Sequence, residues 1–494
     1  MIYLLKMPSS VSAMRYIFTG CLMVLLMYAP ALFAQETWSL QRCVDYALEH
    51  NIQIKQADIQ KRLNELILQQ SRLSRLPNLS AGINNGFNFG RSIDPTTNQF
   101  VNNQLYYLGG SVNMSLNLFS GLQKTHTIQA NKYTLAASEQ LERKMENDVA
   151  LNVATAYLQI LLNTEQLKAT QQQLNLSLAQ LENTRKQVIA GALPESNLAD
   201  MQAQVASDTA SLITAENNLT LAILQMKAIL NLPSDAPFAV DTQMNVDAIP
   251  VMNLDAITPE QIYEQAVGIQ PQVLADSLTL LADKKQLAAA KGALYPTIYL
   301  SGSLGTNYAS TFSQYHVDTI MVPPVQIGTV NINGVDYKVN SLPQTEPIYR
   351  SYKSPLGSQL NNNFNQSIGI GVNIPIFNGY TARTNVKRAQ LNLLNQQLTA
   401  EQNKITLRQN IFQAYADAKG AREQYRATIR ALEAARIAYD YATQRYDLGL
   451  LSPVDYLTSQ NNLFKATINM LTAKYNYIFK VKVLEFYQTL RVQF

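Results

Sequence analysis

The chain has 494 residues, of which 47% are hydrophobic and only 15% are charged, and its formal net charge is +4. This weak and dispersed charge excludes a nucleic-acid-binding protein, which needs clustered Lys and Arg. The length is enough for three or four ordinary domains, but internal repetition favours one architecture built from two similar halves.

Residues 1–34 have the pattern of a secretory signal peptide. Arg15 supplies a basic start, an apolar core follows it, and Ala34 is a small residue at the expected cleavage point. Met14 is an alternative start to Met1, because the residues between them form a second, weaker basic and apolar segment. The pattern predicts an exported protein.

Cleavage of this signal peptide leaves Cys43 as the single cysteine. One thiol excludes an intrachain disulfide and a cysteine-ligated metal site. Lipidation at Cys21 is disfavoured because most of the apolar core follows it, and a membrane anchor is disfavoured because that core is short. No apolar run of about 18 residues follows the signal peptide, so no membrane-spanning helix is predicted.

The first repeat is predicted over residues 35–230, with a helix, a β-hairpin at 78–118 and a long helical hairpin at 120–230. Within the β-hairpin, apolar residues alternate with small polar ones, as in Val112-Asn113-Met114-Ser115-Leu116. Segments of about 9–10 residues with this alternation are typical of outer-membrane β-strands. A soluble β-sandwich is the alternative, but the Asn, Ser and Gly of the second face suit a watered lumen better than a packed core.

A linker at 231–257 leads into the second repeat, predicted over residues 258–487. The order of elements is the same, with a β-hairpin at 297–376 and a long helical hairpin at 378–487, before a tail at 488–494.

The two repeats differ mainly in the loop of the β-hairpin. Pro77 and Phe119 are 42 residues apart, whereas Pro296 and Phe377 are 81 apart. We assign the extra length to a loop at 305–363, which is rich in Tyr, Pro, Asn and Ser. Outer-membrane barrels carry their long loops on the outside, so both hairpin tips are predicted to lie outside the cell.

The long helical hairpins carry the clearest repetition. Gly121 and Gly379 are 258 residues apart, and Gly191 and Gly449 are separated by the same 258. About 70 residues lie between the two glycines of each repeat, which predicts a helix roughly 105 Å long. The return helices carry apolar or aromatic residues every seven positions, a spacing that predicts knobs-into-holes packing. These positions are Leu198, Val205, Leu212, Leu219, Met226, Tyr456, Leu463, Met470, Tyr477 and Leu484.

No constellation of reactive groups is apparent in the sequence. The three histidines, His50, His126 and His316, are scattered and are expected to be surface residues. No phosphate-binding Gly loop, metal-ligand cluster or nucleophile–base pattern is present, so we predict a protein that is not an enzyme and has no cofactor.

These motifs resemble the TolC-like outer-membrane efflux protein family, whose members are called outer membrane factors. The resemblance covers nearly all of the mature chain. Its most specific parts are the duplication, the junctions Leu118-Phe119-Ser120-Gly121 and Ile376-Phe377-Asn378-Gly379, and the turns Gly191–Asn197 and Gly449–Asp455. The resemblance implies a mainly α fold with membrane β-structure. A trimeric twelve-stranded β-barrel, with four strands per chain, would continue into a long periplasmic α-helical coiled-coil barrel.

The resemblance also implies which residues act. Adaptor contact would lie at the tips of the helical hairpins, at Gly191, Ala192, Leu193, Leu448, Gly449 and Leu450. The constriction would be formed by Tyr446, Asp455, Thr458, Ser196 and Asn197. Asp455 matches a family Asp that forms a carboxylate ring, whereas the family Arg two residues after the second-repeat Gly is Leu451 here. The alternative role for Asp455 is that of an acidic residue favoured at a helix N-terminus.

The resemblance implies an outer-membrane exit duct of a tripartite efflux or type I secretion-like system. Its partners would be two further copies of the chain, a periplasmic adaptor (membrane fusion) protein, an inner-membrane efflux transporter and outer-membrane lipid. A periplasmic coiled-coil scaffold or adhesin without a pore is the alternative, and it does not explain the alternating strands.

Overall fold

A computed structural model of the chain describes residues 37–93, 98–102, 104–242 and 249–490. The predicted signal peptide and the end of the predicted tail lie outside the described residues. Two compact units are present: a helical unit of Met1–Ile59, Gln140–Leu274 and Gln402–Phe494, and a strand unit of Gln60–Glu139 and Ala275–Glu401.

The first repeat begins with two helices, continues with four strands and ends with two long helices. They are α1 (Leu40–His50), α2 (Ile52–Leu73), β1 (Asn78–Asn88), β2 (Arg91–Ile93), β3 (Phe100–Asn102), β4 (Leu105–Ser120), α3 (Gln123–Ile189) and α4 (Glu195–Leu230).

The second repeat has the same order, with extra elements between its two outer strands. They are α5 (Pro259–Ile269), α6 (Pro271–Gly292), β5 (Thr297–Ala309), β6 (Ser313–Val322), β7 (Gln326–Ile332), β8 (Val335–Asn340), β9 (Gln344–Lys353), α7 (Leu356–Asn362), β10 (Asn365–Asn373), α8 (Thr381–Asp447) and α9 (Pro453–Thr489).

The predicted duplication is confirmed by the helices. Helices α3 and α8 have 67 residues each. Their first residues, Gln123 and Thr381, are 258 apart, and so are the first residues of α4 and α9, Glu195 and Pro453. The fold is mainly helical, with a smaller β part and two repeats, as predicted. Within the described residues no helix is both long and apolar enough to cross a membrane.

Four strands form one antiparallel sheet in the order β1-β4-β5-β10, so β1 and β10 are its edges. Paired residues on one face are apolar and include Leu79, Met114, Leu300, Ile368 and Ile370. The paired residues on the other face are small and polar and include Ser80, Asn113, Ser301, Ser303 and Ser367. The apolar face is uncovered in the single chain, where Ile83 is 83% exposed and Ile368 77%. The predicted alternation is therefore present in the sheet.

Strand lengths differ from those expected. Strand β4 has 16 residues, whereas 9–10 were expected by analogy with outer-membrane strands. Strand β10 ends at Asn373, so the prediction that the strand continues to Ile376 is wrong. Pro375 explains the early end, because a proline has no N–H to donate to the ladder.

The region expected as a loop at 305–363 is largely ordered β-structure. It begins with the last residues of β5, which runs to Ala309. Two further strand pairs follow, β6 with β9 and β7 with β8, and then the short helix α7. The region assigned as a loop therefore contains strands of its own, and its Pro, Asn and Ser residues interrupt the ladder without preventing it.

The helical unit contains two apolar cores, and each core belongs mainly to one repeat. The first includes Ala47 and Met226, and the second includes Ala266 and Leu484. All four side chains are 0% exposed. Ala47 and Ala266 are the matching residues of α1 and α5, and Met226 and Leu484 are the matching residues of α4 and α9. None of the ten heptad positions is exposed, in agreement with the predicted packing.

Candidate functional site

The two helical hairpins turn in the same way. Gly191 and Gly449 have φ of +74° and +70°, a left-handed conformation that glycine adopts without steric cost. In the first turn the N–H groups of Gly191 and Ala192 donate to the carbonyls of Val188 and Gln187 at 2.9 Å each. In the second turn Gly449 and Leu450 donate to Tyr446 and Arg445, at 2.9 and 2.8 Å. Both are Schellman motifs, which satisfy carbonyl groups left open at a helix end.

The return helices start differently after these turns. Helix α4 begins after Pro194, whose side chain makes no capping hydrogen bond. Helix α9 begins after Ser452, whose Oγ accepts a hydrogen bond from the backbone N–H of Asp455 at 3.2 Å and donates to Asp455 Oδ2 at 2.7 Å. Side-chain capping satisfies a free N–H of the first helical turn, so the start of α9 is better fixed than that of α4.

The predicted constriction residues do not form one hydrogen-bonded group within the described chain. Asp455 is exposed and pairs with Ser452, while Tyr446 is half-buried against another tyrosine. Thr458 is exposed, and its Oγ1 donates to the carbonyl of Val454 at 2.8 Å. Ser196 is exposed and Asn197 is half-buried at the start of α4. Asp455 lies in the first turn of α9, the position that its alternative role as an acidic residue at a helix N-terminus requires.

Three tyrosines join the two helices of the second hairpin. The ring of Tyr446 stacks on Tyr456 with centroids 4.6 Å apart. The hydroxyl groups of Tyr456 and Tyr439 are 2.9 Å apart. Tyr456 is buried, and burial raises the pKa of its phenol, with a further rise from the bond to Tyr439. Sequence reasoning had singled out Tyr446 alone, although Tyr456 was a heptad position.

Exposed apolar side chains surround both turns. Leu448 is 73% exposed, Leu450 is 66% exposed and Ile189 is 77% exposed, whereas Leu193 is half-buried. Large apolar side chains grouped at a turn are unusual on a free surface and are typical of contact sites. These tips therefore have the chemistry of a docking surface.

A buried polar cluster joins the two hairpins, and sequence reasoning missed it. Asp208 of α4 is only 4% exposed. Ser177 Oγ donates to Asp208 Oδ2 at 2.6 Å, and Gln204 Nε2 donates to Oδ1 at 2.9 Å. Gln460 of α9 donates to Ser177 Oγ at 3.2 Å. The sequence signal was present, because Asp208 lies seven residues after the buried Met201 in a seven-residue pattern.

The histidines and acidic residues form no reaction centre in the part of the chain that is described. No group of three or more His, Cys, Asp or Glu there is placed to hold a metal ion. His50 stacks on Tyr46 at 4.0 Å, and His316 lies 3.3 Å from Asp318 on a surface strand.

The sequence matches the family described as Outer membrane efflux protein over residues 43–232 and 262–485. Among curated proteins, Outer membrane efflux protein BepC of Brucella suis biovar 1 is 23% identical over 80% of this chain and 74% of BepC. Outer membrane protein TolC of Escherichia coli K12 is 21% identical over 67% of this chain and only 59% of TolC.

Solved structures show the same fold. A crystal structure of CusC superimposes with a TM-score of 0.72 at 17% identity, covering 93% of this chain and 95% of CusC. The outer membrane channel CmeC of Campylobacter jejuni gives a TM-score of 0.70 at 20% identity, covering 91% of this chain and 85% of CmeC. These relatives are named as efflux or channel proteins, which fits the prediction of a protein that is not an enzyme.

Proposed function

The chain belongs to the outer membrane efflux protein family, and we propose that it forms the exit duct of a tripartite export system. It is an outer-membrane efflux channel protein that extends into the periplasm. The observation that carries the proposal is the duplicated pair of two-faced strands joined to two 67-residue helices. The duct is passive, because energy enters at an inner-membrane efflux transporter.

The sheet supports assembly as a homotrimer. Its edge strands β1 and β10 each pair with one strand only within the described chain, so the outer edge of each is open. Open edges are not tolerated in lipid, since their N–H and C=O groups would have no partner. Three copies joined edge to edge supply twelve strands, enough to surround a water-filled channel. The apolar face with Ile83 and Ile368 then contacts outer-membrane lipid, and the Ser- and Asn-rich face lines the lumen.

The helices support a duct that crosses the periplasm. Each 67-residue helix is about 100 Å long, roughly three times the hydrocarbon thickness of a bilayer. The tips carry Gly191, Ala192, Leu193, Leu448, Gly449 and Leu450 and dock a periplasmic adaptor (membrane fusion) protein. The exposed side chains of Leu448 and Leu450 favour this contact, because the adaptor would remove them from water.

The constriction lies close to these tips. In a trimer three copies of Asp455 form a ring of carboxylates, with Tyr446, Thr458, Ser196 and Asn197 around it. The exposure of Asp455 supports this role, since the carboxylate faces solvent in the single chain. Its bond to Ser452 holds the side chain at the start of α9 and leaves its charge in place.

Two measurements test the proposed duct. The full-length protein should fractionate with the outer membrane and migrate in gels as a heat-sensitive trimer. In planar bilayers it should open water-filled channels. Extraction as a monomer without detergent, together with silent bilayers, would contradict the duct and favour a periplasmic scaffold or adhesin without a pore.

A further inference from the structure

A long β-hairpin separates β5 from β10 and spans residues 313–353. Strands β6 and β9 pair from Ser313↔Lys353 to Val322↔Gln344, and pairing resumes at Gln326↔Asn340 in β7 and β8. Between the two ladders the N–H of Ser341 donates to the carbonyl of Val325 at 2.8 Å. The register is therefore the same on both sides of a short proline-containing interruption, and the segment is one continuous hairpin.

One face of this hairpin carries apolar side chains along its whole length, together with Ser, Thr and Gly, and its one charged residue is Lys353 at the base. Residues that pair directly, and those two positions away, lie on the same face of a β-ladder. Within β6 and β9 this face carries Tyr315, Val317, Met321, Pro347 and Tyr349. Within β7 and β8 it carries Val330, Ile332, Val335, Tyr337 and Val339. We refer to these ten residues as the hairpin face.

A β-bulge keeps the hairpin face continuous. The register shifts by one residue between Gln326 and Gly328, so Val330 pairs with Tyr337 and Ile332 pairs with Val335. If the register before the shift continued, Val330 would pair with the charged residue Asp336. Since a one-residue slip moves a strand's side chains to the other face, the bulge maintains the segregation of apolar from polar residues.

The opposite face carries the other charged side chains, several of which contact one another, although Ile320, Val322 and Ile348 also lie on it. Asp318 lies 3.0 Å from Arg350 and 3.3 Å from His316. Asn331 donates to Asp336 at 2.7 Å. This face suits water, whereas the hairpin face does not: Met321 is 81% exposed and Tyr349 is 65% exposed. An uncovered apolar surface of this size marks an interaction site.

Lipid is a poor candidate to cover the hairpin face. A tilted strand needs about 9–11 residues to cross a bilayer. Strand β5 already has 13 residues, and the hairpin begins at Ser313, only four residues after the end of β5. In the proposed duct, β5 uses the whole membrane thickness, so the hairpin projects beyond the hydrocarbon.

A second copy of the chain is the occupant that the topology favours. The hairpin is inserted between β5 and β10, and β10 is the edge that joins the next copy in the proposed trimer. Three hairpins therefore start close together around one axis. Arg350, Asp318 and Glu346 lie on the face away from the apolar residues, so they can stay hydrated while three apolar faces meet.

We propose that the hairpin faces of neighbouring copies pack against one another outside the membrane and form a three-sided apolar bundle over the outer mouth of the duct. This inference rests on the trimer of the proposed function. Twenty residues along each strand and a width of two strands give roughly 600 Å² per copy, from about 3.3 Å per residue and about 10 Å of width. Three copies contribute about 1,800 Å², which three pairwise contacts share at about 600 Å² each. A contact of this size is too small to hold an assembly by itself, so it adds to the contacts between the sheet edges of the trimer.

Cysteine cross-linking of the full-length protein in outer-membrane vesicles tests this contact. Tyr349→Cys lies on the hairpin face, and its neighbour Arg350→Cys lies on the charged face with similar exposure. A short bis-maleimide joins two thiols, and each chain carries one accessible thiol, so Tyr349→Cys should form covalent dimers while Arg350→Cys stays monomeric. Val317→Cys, which pairs with Tyr349, repeats the test if Tyr349→Cys fails to fold. The native Cys43 is 0% exposed and does not contribute.

A separate measurement distinguishes this inference from the trimer itself. In gels run without heating, the full-length protein should migrate as a trimer whether or not the hairpin faces touch. A heat-sensitive trimer without hairpin-face cross-links would overturn the bundle and leave the trimer intact. Equal cross-linking of Tyr349→Cys and Arg350→Cys, or products with another protein only, would also overturn the bundle. Loss of the heat-sensitive trimer would contradict the trimer and the bundle together.

Discussion

The hydroxyl groups of Tyr439 and Tyr456 lie 2.9 Å apart, and this contact has no counterpart in the first repeat. The matching residues 258 positions earlier are Leu181 and Leu198. Two leucines have no polar side-chain group, so this level of the first hairpin lacks the hydrogen bond that the second hairpin has. A directional bond of this kind fixes the helix register near the proposed constriction.

We expect the two tyrosine hydroxyls to be energetically coupled. Tyr439→Phe and Tyr456→Phe should each destabilise the folded protein by about 1 kcal/mol, because each removes a partly buried hydrogen bond. The double variant should cost clearly less than the sum of the two. Urea unfolding of the detergent-solubilised protein, followed by helical circular dichroism, measures these values. Strict additivity would show that the two hydroxyls do not stabilise each other.

Stability should fall at alkaline pH through Tyr456. Its pKa is raised in the folded chain, mainly by burial, so the unfolded phenol loses its proton first, at about pH 10. The folded state then binds more protons than the unfolded state, and the free energy of unfolding decreases as pH rises through this range. Melting curves between about pH 8 and about pH 11 should show a smaller decrease for Tyr456→Phe. Equal slopes for both proteins would contradict this assignment.

The hydrogen bond from Ser177 to the buried carboxylate of Asp208 should stabilise the folded protein. Ser177→Ala removes the 2.6 Å hydrogen bond and should cost about 2 kcal/mol, because the lost bond is to a charged group. Combining it with Asp208→Ala should cost less than the sum of the single changes, since the charge that needed the bond is gone. The second repeat has Ala435 and Ala466 at these positions, so a helical hairpin tolerates alanine there. Thermal unfolding of all three variants is the measurement.

The charge of Asp455 should set ion selectivity. Asp455→Asn should lower the cation-to-anion permeability ratio several-fold in planar bilayers, because three carboxylates are lost from one ring. Asp440→Asn, an exposed carboxylate on α8, should leave the ratio unchanged. Ser452→Ala removes the helix cap and keeps the charge, so it should cost about 1 kcal/mol of stability with little change in selectivity. Unchanged selectivity and divalent block in Asp455→Asn would refute the carboxylate ring.

Much of the architecture was predictable because it depends on local properties. A helix of 67 residues, a strand with alternating residues and a turn with glycine in the left-handed conformation each show in a few neighbouring side chains. The common offset of 258 residues then identified the two repeats without any contact information. The early end of β10 was also a local effect of Pro375, but the apolar alternation through Ile374 and Ile376 obscured it.

The sequence by itself therefore determined the repeats, the long helices, the two-faced strands and the glycine turns. These features depend on side-chain periodicity and backbone preference, which are properties of residues close together in the chain. Tertiary structure alone decided which strands pair, why Asp208 is buried between hairpins, and that Tyr446 stacks on Tyr456. It also decided that residues 313–353 form one hairpin with a single apolar face. These features depend on partners far apart in the chain, and a bulge of one residue is enough to change which side chains face each other.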